Sequence, residues 1–167
     1  MMDELEEGPT PEIQILTFFI SEEEYGVNIT EVKEIIEYAP MTKIPSSPTF
    51  LRGVINLRGS VVPVIDLANK FGFQESEVTK RTCIVIAEVD HEAKKNLIGV
   101  IVDRVNQVMD ILPEEIELPP SFGTPIQAHF IKGLAKRERS FILILAMDKI
   151  LSLDELKSGF SLLPIGK

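Results

Sequence analysis

The stretch Phe50-Leu51-Arg52-Gly53-Val54-Ile55-Asn56-Leu57-Arg58-Gly59-Ser60-Val61-Val62-Pro63-Val64-Ile65-Asp66-Leu67 reads as two short strands joined by a tight connection. Val54 to Leu57 and Val61 to Asp66 are brief and rich in Val and Ile, which favours strands over helices. Between them lies Arg58-Gly59, where glycine readily adopts the positive φ that a hairpin turn needs. Arg58 is therefore expected at the tip of a rigid platform. Its planar guanidinium suits a carboxylate or backbone carbonyl on another protein, and arginine is prominent among residues that dominate interfaces. Pro63 cannot donate to a ladder, so the second strand is expected to be an edge or to carry a bulge.

The same texture continues in both directions. Ile13 to Ile20, Thr82 to Val89, Leu97 to Val102 and Phe141 to Ala146 are further β-rich runs, with turn signals at Glu24 to Gly26, Asp90 to Asn96 and Lys136 to Ser140. Two short helices are expected. Asn28-Ile29-Thr30-Glu31 has the acceptor and the glutamate of a capping box ahead of Val32, Ile35 and Ile36, and Ser152 to Lys157 carries Leu153 and Leu156 three apart.

An internal repeat organises these pieces. Gly26-Val27-Asn28-Ile29-Thr30-Glu31-Val32 aligns with Gly99-Val100-Ile101-Val102-Asp103-Arg104-Val105, and Phe50-Leu51-Arg52-Gly53-Val54 with Phe130-Ile131-Lys132-Gly133-Leu134. Each half ends in an apolar strand followed by an aspartate, Asp66 or Asp148. Residues 13–71 and 82–150 are thus expected to form two similar β-barrel halves, joined by 72–81 and followed by a helix over 151–157 and a tail over 158–167. Residues 1–12, acidic and containing Pro9 and Pro11, are expected to be a flexible leader.

The chain has 167 residues, 44% of them hydrophobic, enough to bury a substantial core. Its 17 basic and 26 acidic side chains give a net charge of -9, of which the leader supplies five negatives, leaving about -4 on the body. An acidic body repels phosphate backbones and anionic lipid, so nucleic acid and direct membrane insertion are excluded as first readings. No run approaches the roughly 18 apolar residues of a membrane span, and the acidic N-terminus does not read as an export signal. A cytoplasmic protein is expected.

Residues for catalysis or metal binding are scarce. His91 sits in a charged turn and His129 precedes Phe130; neither has a cysteine or second histidine at ligand spacing, so no metal site and no cofactor are expected. Gly53 and Gly59 fail the phosphate-loop spacing, and no G-x-S-x-G elbow occurs. Cys83 lies inside the apolar run Thr82 to Ala87 and reads as a packed hydrophobe. The charge cluster Lys136-Arg137-Glu138-Arg139 reads as a solvated hairpin tip in preference to an acidic partner's docking point.

With these motifs in view the chain resembles the CheW family over residues 13–157. The resemblance is carried by Glu24-Tyr25-Gly26-Val27, Val32-Lys33-Glu34-Ile35, the block from Gly53 through Asn56-Leu57-Arg58-Gly59 to Pro63-Val64-Ile65-Asp66-Leu67, and Gly99 to Val105. It implies a mostly β, CheW-like fold of two SH3-like five-stranded barrels with short helices. It also implies a non-catalytic adaptor that couples the cytoplasmic hairpin tip of chemoreceptors to the regulatory domain of the histidine kinase CheA, recruited to membrane-associated arrays. By motif position the receptor-facing residues are Val32, Glu34, Ile35, Arg58 and Val105. Val108 is assigned to the kinase and Phe122 to a ring contact. The second half departs from the pattern, with Ala135-Lys136-Arg137-Glu138-Arg139 in place of Asn-Leu-Arg-Gly, so only the first half offers the diagnostic arginine. The rival readings are a coupling paralogue for a non-chemotactic kinase pathway and a small-ligand enzyme in the groove between barrels. The enzyme needs a convergent acid/base pair, which the residues do not supply.

Overall fold

Short β-branched runs bounded by turn residues form strands here almost throughout. The computed structural model describes residues 12–74, 77–91, 93–118 and 130–150. The strands are β1 (Ile13–Ile20), β2 (Glu23–Asn28), β3 (Val32–Glu37), β4 (Leu51–Leu57), β5 (Ser60–Asp66), β6 (Cys83–His91), β7 (Lys94–Val102), β8 (Arg104–Ile111), β9 (Ile116–Glu117), β10 (Ile131–Lys136) and β11 (Phe141–Leu145). Single helical turns, Leu67–Lys70 and Met147–Ile150, follow β5 and β11. The leader through residue 11, Phe122, His129 and the helix expected over 151–157 lie outside the described residues.

Two sheets result. Sheet I runs β8-β1-β2-β11-β10-β9 and sheet II runs β3-β6-β7-β5-β4. Apart from the two-residue β9, each is a five-stranded SH3-like subdomain. The expected division into 13–71 and 82–150 as separate barrels does not hold, because each sheet draws on both halves: sheet I takes β1 and β2 from the first, and sheet II takes β6 and β7 from the second. The repeat itself is real. Val32 and Glu34 face Ala87 and Ile86 across a bulge, as Val105 and Gln107 face Phe18 and Thr17 across another. Gly99 lies beside Val64 in the parallel β5–β7 pair as Gly26 lies beside Ile144 in the β2–β11 pair. The two halves have exchanged their leading hairpins about a pseudo-twofold, so neither sheet completes its hydrogen bonding without the other half.

Register also corrects several local expectations. Asn28 Oδ1 does cap, accepting from the Thr30 amide at 3.0 Å, but the helix stops at a 3-10 turn, Ile29–Glu31. Val32, Ile35 and Ile36 then run as strand, since their β-branched side chains gain more by pairing with β6 than an isolated short helix returns. Glu24 to Gly26 is not a turn but the middle of β2; the reversal is made by Ser21 and Glu22, at φ +49° and +71°. The Asp90 to Asn96 turn is narrower than expected, as His91 already pairs with Lys94. Pro63 sits in an inner strand without a bulge of its own. Val54, its partner, exchanges both backbone bonds with Thr42 on the far side, so the proline nitrogen points away from β4. On that other side the pairing with β7 begins only at Val64. Ala146, not Asp148, is the repeat equivalent of Asp66: their amides bond to the Phe130 and Phe50 carbonyls respectively.

Strand alternation sorts side chains into three apolar clusters. Ile84, Ile86, Val62, Val64 and Ile101 fill sheet II, and Ile15, Ile111, Ala135, Ile142 and Ile144 fill sheet I. The opposite faces, with Val85, Ala87 and Val100 from one sheet and Leu16, Phe18 and Val27 from the other, meet in a shared central core. Phe18, Tyr25, Phe71 and Phe130 line up through that core with successive ring centroids 6.4, 5.7 and 5.8 Å apart. Cys83 packs against this core as expected, its thiol donating to the Arg81 carbonyl, and burial pushes its pKa up.

Candidate functional site

The β4–β5 hairpin places Arg58 by local chemistry. Leu57 pairs with Ser60, so Arg58 and Gly59 form a two-residue turn with φ of +51° and +89°. Both central residues in the left-handed region mark the hairpin turn whose twist matches the flanking strands. Glycine takes this φ freely, whereas arginine does so at some cost. The turn is held by Asn56, whose Oδ1 accepts from the Gly59 amide at 2.8 Å. Asn56 thus fixes the turn that presents Arg58, a role signalled by an asparagine three residues before the glycine.

Arg58 does not stand free. Its Nη1 and Nη2 donate to Glu34 Oε2 and Oε1 at 2.5 and 2.8 Å, a bidentate pair that draws the Glu34 pKa below the ordinary carboxylate range. Glu34 is on β3 and Arg58 follows β4, the two outer strands of sheet II, so this clasp closes the subdomain across its open side. At the base of the same hairpin, Arg52 Nη1 meets Asp66 Oδ2 at 2.7 Å, with the Asp66 side chain 1% exposed. Asp66 also caps the helical turn through the Asn69 amide. The hairpin is therefore pinned at both ends.

The bulge in β3 turns Val32 and Ile35 to one face, opposite Ala87 and Val85 of the central core. The bulge in β8 at Asn106 does the same for Val105 and Val108, which face Phe18 and Leu16. Val32 and Val105 pack against the shared core, while Ile35 and Val108 are 42% and 50% exposed. The repeat thus sets two matching margins beside one core, each with a packed valine and an exposed aliphatic. The structure brings Glu34 to Arg58 on one face of β3, sets Val32 and Ile35 on its other face, and puts Val105 and Val108 on the outer strand of sheet I.

Sheet I carries a clasp of its own, built without the Asn-Leu-Arg-Gly motif. Gln107 is the repeat equivalent of Glu34. With its amide oxygen turned toward the β10–β11 tip, it accepts from both Nη atoms of Arg137 at 3.2 and 3.3 Å. Arg137 Nη1 also approaches Met109 Sδ at 3.4 Å. The sequence hid this because the tip is two residues longer than the Arg58 turn, closing with the Arg137 amide on the Ser140 carbonyl.

A cleft of about 890 Å³ is lined by Glu31, Glu88, Asp90 and Asp148 together with Lys95, Lys132 and Lys149. Glu31 is pushed above its ordinary pKa by burial, and its Oε1 has no hydrogen-bond partner among the described residues. Among the described residues no group of three or more His, Cys, Asp or Glu is arranged to hold a metal ion, and no helix is long and apolar enough to cross a membrane.

Comparison with known proteins agrees with this architecture. The profile of the CheW-like domain matches residues 14–155. A probable chemotaxis protein CheW from Rhizobium etli is 32% identical over 139 residues, covering 83% of this chain and 87% of the relative. The chemotaxis protein CheW of Thermotoga maritima is 32% identical over 151 residues, 89% and 93% of the two chains. Among solved structures, the scaffolding protein TtCheW from Thermoanaerobacter tengcongensis superposes with a TM-score of 0.78 at 34% identity, covering 89% of this chain and 94% of that one.

Proposed function

The chain belongs to the CheW-like domain family, and from that premise we propose that it is a non-catalytic adaptor coupling chemoreceptors to the histidine kinase CheA. The observation that carries the reading at the site is the Glu34–Arg58 clasp, held out by a turn locked by Asn56 on the strand whose other face exposes Ile35. An exposed bidentate pair on a strand margin that also exposes an aliphatic side chain offers hydrogen-bonding capacity and apolar area to a protein partner's helix.

In this reading Val32, Glu34, Ile35, Arg58 and Val105 face the receptor's hairpin tip. Val108, expected at the kinase, shares the face of Val105, and we place it with the receptor set. The regulatory domain of CheA then docks outside this groove, and both partners are held at once. The adaptor raises the kinase's effective concentration at the receptor and passes receptor conformation to it through the shared core. It acts in the cytoplasm, at membrane-associated arrays.

Calorimetric titration tests this. Wild-type protein should bind a soluble receptor tip and, separately, the isolated kinase regulatory domain from the same cell. Arg58→Glu places a second carboxylate against Glu34 and should weaken receptor binding about thirtyfold, the scale of an interface hot spot, with kinase binding retained. Unchanged receptor affinity in that variant would sink the receptor assignment.

A further inference from the structure

We propose that the Gln107–Arg137 clasp is a second anchor of the receptor groove, one that takes a carboxylate on the helix of the receptor hairpin opposite the one met by Glu34–Arg58. This inference rests on the receptor reading above and adds what the second margin recognises.

The pseudo-twofold carries the first step. Val32, Glu34 and Ile35 on β3 correspond to Val105, Gln107 and Val108 on β8, and in both strands the packed valine and the exposed aliphatic face the same shared core. A helical hairpin tip presents two antiparallel helices, themselves related by a near twofold. Two matched margins suit two such helices, one for each margin.

Charge carries the second step. In sheet II the arginine meets a carboxylate, so the Glu34–Arg58 clasp is neutral within the chain. In sheet I the equivalent partner is an amide, which orients the guanidinium without cancelling its charge. Arg137 is exposed, and among the described residues it has no carboxylate partner. Of its neighbours at the tip, Lys136 is engaged by Glu117 at 3.3 Å. A fork held by Gln107 and Met109 but left charged is pre-organised for a partner's carboxylate, because less side-chain freedom is lost on binding. The difference between the clasps also gives the groove a polarity, and hence one orientation for the hairpin.

The test uses the full chain and a soluble receptor tip from the same cell, titrated at two salt concentrations. Arg137→Gln should weaken receptor binding about tenfold and flatten its salt dependence. Gln107→Glu should do the same by giving Arg137 an internal carboxylate, converting the second clasp into the first. Neither should change the thermal midpoint or the affinity for the kinase regulatory domain. Loss in Arg58→Glu with neither Arg137→Gln nor Gln107→Glu affected overturns this inference and leaves the adaptor reading standing. Loss in Arg137→Gln without loss in Gln107→Glu also overturns it, since the arginine would then act by packing. Absence of receptor binding by the wild type overturns the receptor reading and this inference together.

Discussion

Sheets I and II share a strand plan but stabilise their closing hairpins by different means. In sheet II the β4–β5 hairpin has a buried Arg52–Asp66 pair at its base and a two-residue turn at its tip. In sheet I the equivalents of Arg52 and Asp66 are Lys132 and Ala146, and the tip is longer. The outer flank differs too: sheet II has a single bridge from Thr42 to Val54, where sheet I has the two-residue β9 beside Leu134 and Ala135. The two halves share a topology and differ in how their polar groups are tied down within the chain. The sheet whose hairpin is pinned at both ends is the one that presents Arg58.

The buried pair gives the largest expected difference between the sheets. Asp66→Ala makes sheet II resemble sheet I at the base of its hairpin but leaves the Arg52 guanidinium, only 15% exposed, without its carboxylate, and removes the cap of the helical turn. Breaking one side of a buried pair costs about 3–5 kcal/mol, which urea denaturation should show as a lower midpoint. The double variant Arg52→Met, Asp66→Leu should recover most of that loss, since a packed apolar pair replaces a buried ionic one at little cost. Equal instability in the single and double variants would mean the pair does more than satisfy itself.

A Cβ on Gly53 would lie 2.6 Å from the Thr42 carbonyl oxygen, at a φ of +156°, whereas one on its equivalent Gly133 would press chiefly on the Ile116 side chain. Backbone yields less readily than a side chain, so Gly53→Ala should cost about 1–3 kcal/mol and Gly133→Ala less. A reversed order would show that β9 is held more rigidly than the Thr42 bridge. At the tips, Asn56→Ala removes the acceptor of the Gly59 amide and should cost about 1 kcal/mol, while Ser140→Ala, whose loop bond uses backbone atoms alone, should stay within about 0.5 kcal/mol of wild type.

What could be read in the sequence follows from how many faces a strand buries. β1, β5, β6, β7 and β11 lie inside the sheets, between a subdomain interior and the central core, so their runs are nearly continuous in Val, Ile, Leu and Phe and their positions are legible to within about three residues, the misses falling at the polar hairpin between β6 and β7. β3 and β8 are outer strands with mixed burial; Val32–Glu37 passed for a helix and Arg104–Ile111 was not recognised. The exchange of hairpins between halves leaves no local mark, because register across a repeat is a long-range property. At the candidate site, the place of Arg58 at a hairpin tip is legible because a two-residue turn has a signature. Its clasp with Glu34 depends on barrel closure, and Arg137 was obscured by the two extra residues in its loop.

The smallest expected effect concerns the two segments that cross between sheets. Glu31 and Arg104 are repeat equivalents, yet Arg104 lays its guanidinium 3.9 Å from the Phe19 ring centroid, while Glu31 turns a carboxylate into a half-buried position. Burial raises the Glu31 pKa most; Lys132 draws it down and Asp148 pushes it further up. Glu88, Asp90, Lys95 and Lys149 line the same cleft. A carboxyl with a higher pKa folded than unfolded binds more protons in the folded state, so its contribution to stability falls as pH rises through the interval between the two values. Above that interval the charged carboxylate is a standing cost, and below it the cost vanishes. Glu31→Gln should therefore stabilise the protein at pH 7–8, with the advantage shrinking as pH falls toward the ordinary carboxylate range near about 4.3. Thermal midpoints of both proteins across that range provide the check. A difference independent of pH would show that Glu31 acts through packing, and that the crossing segments differ in shape more than in charge.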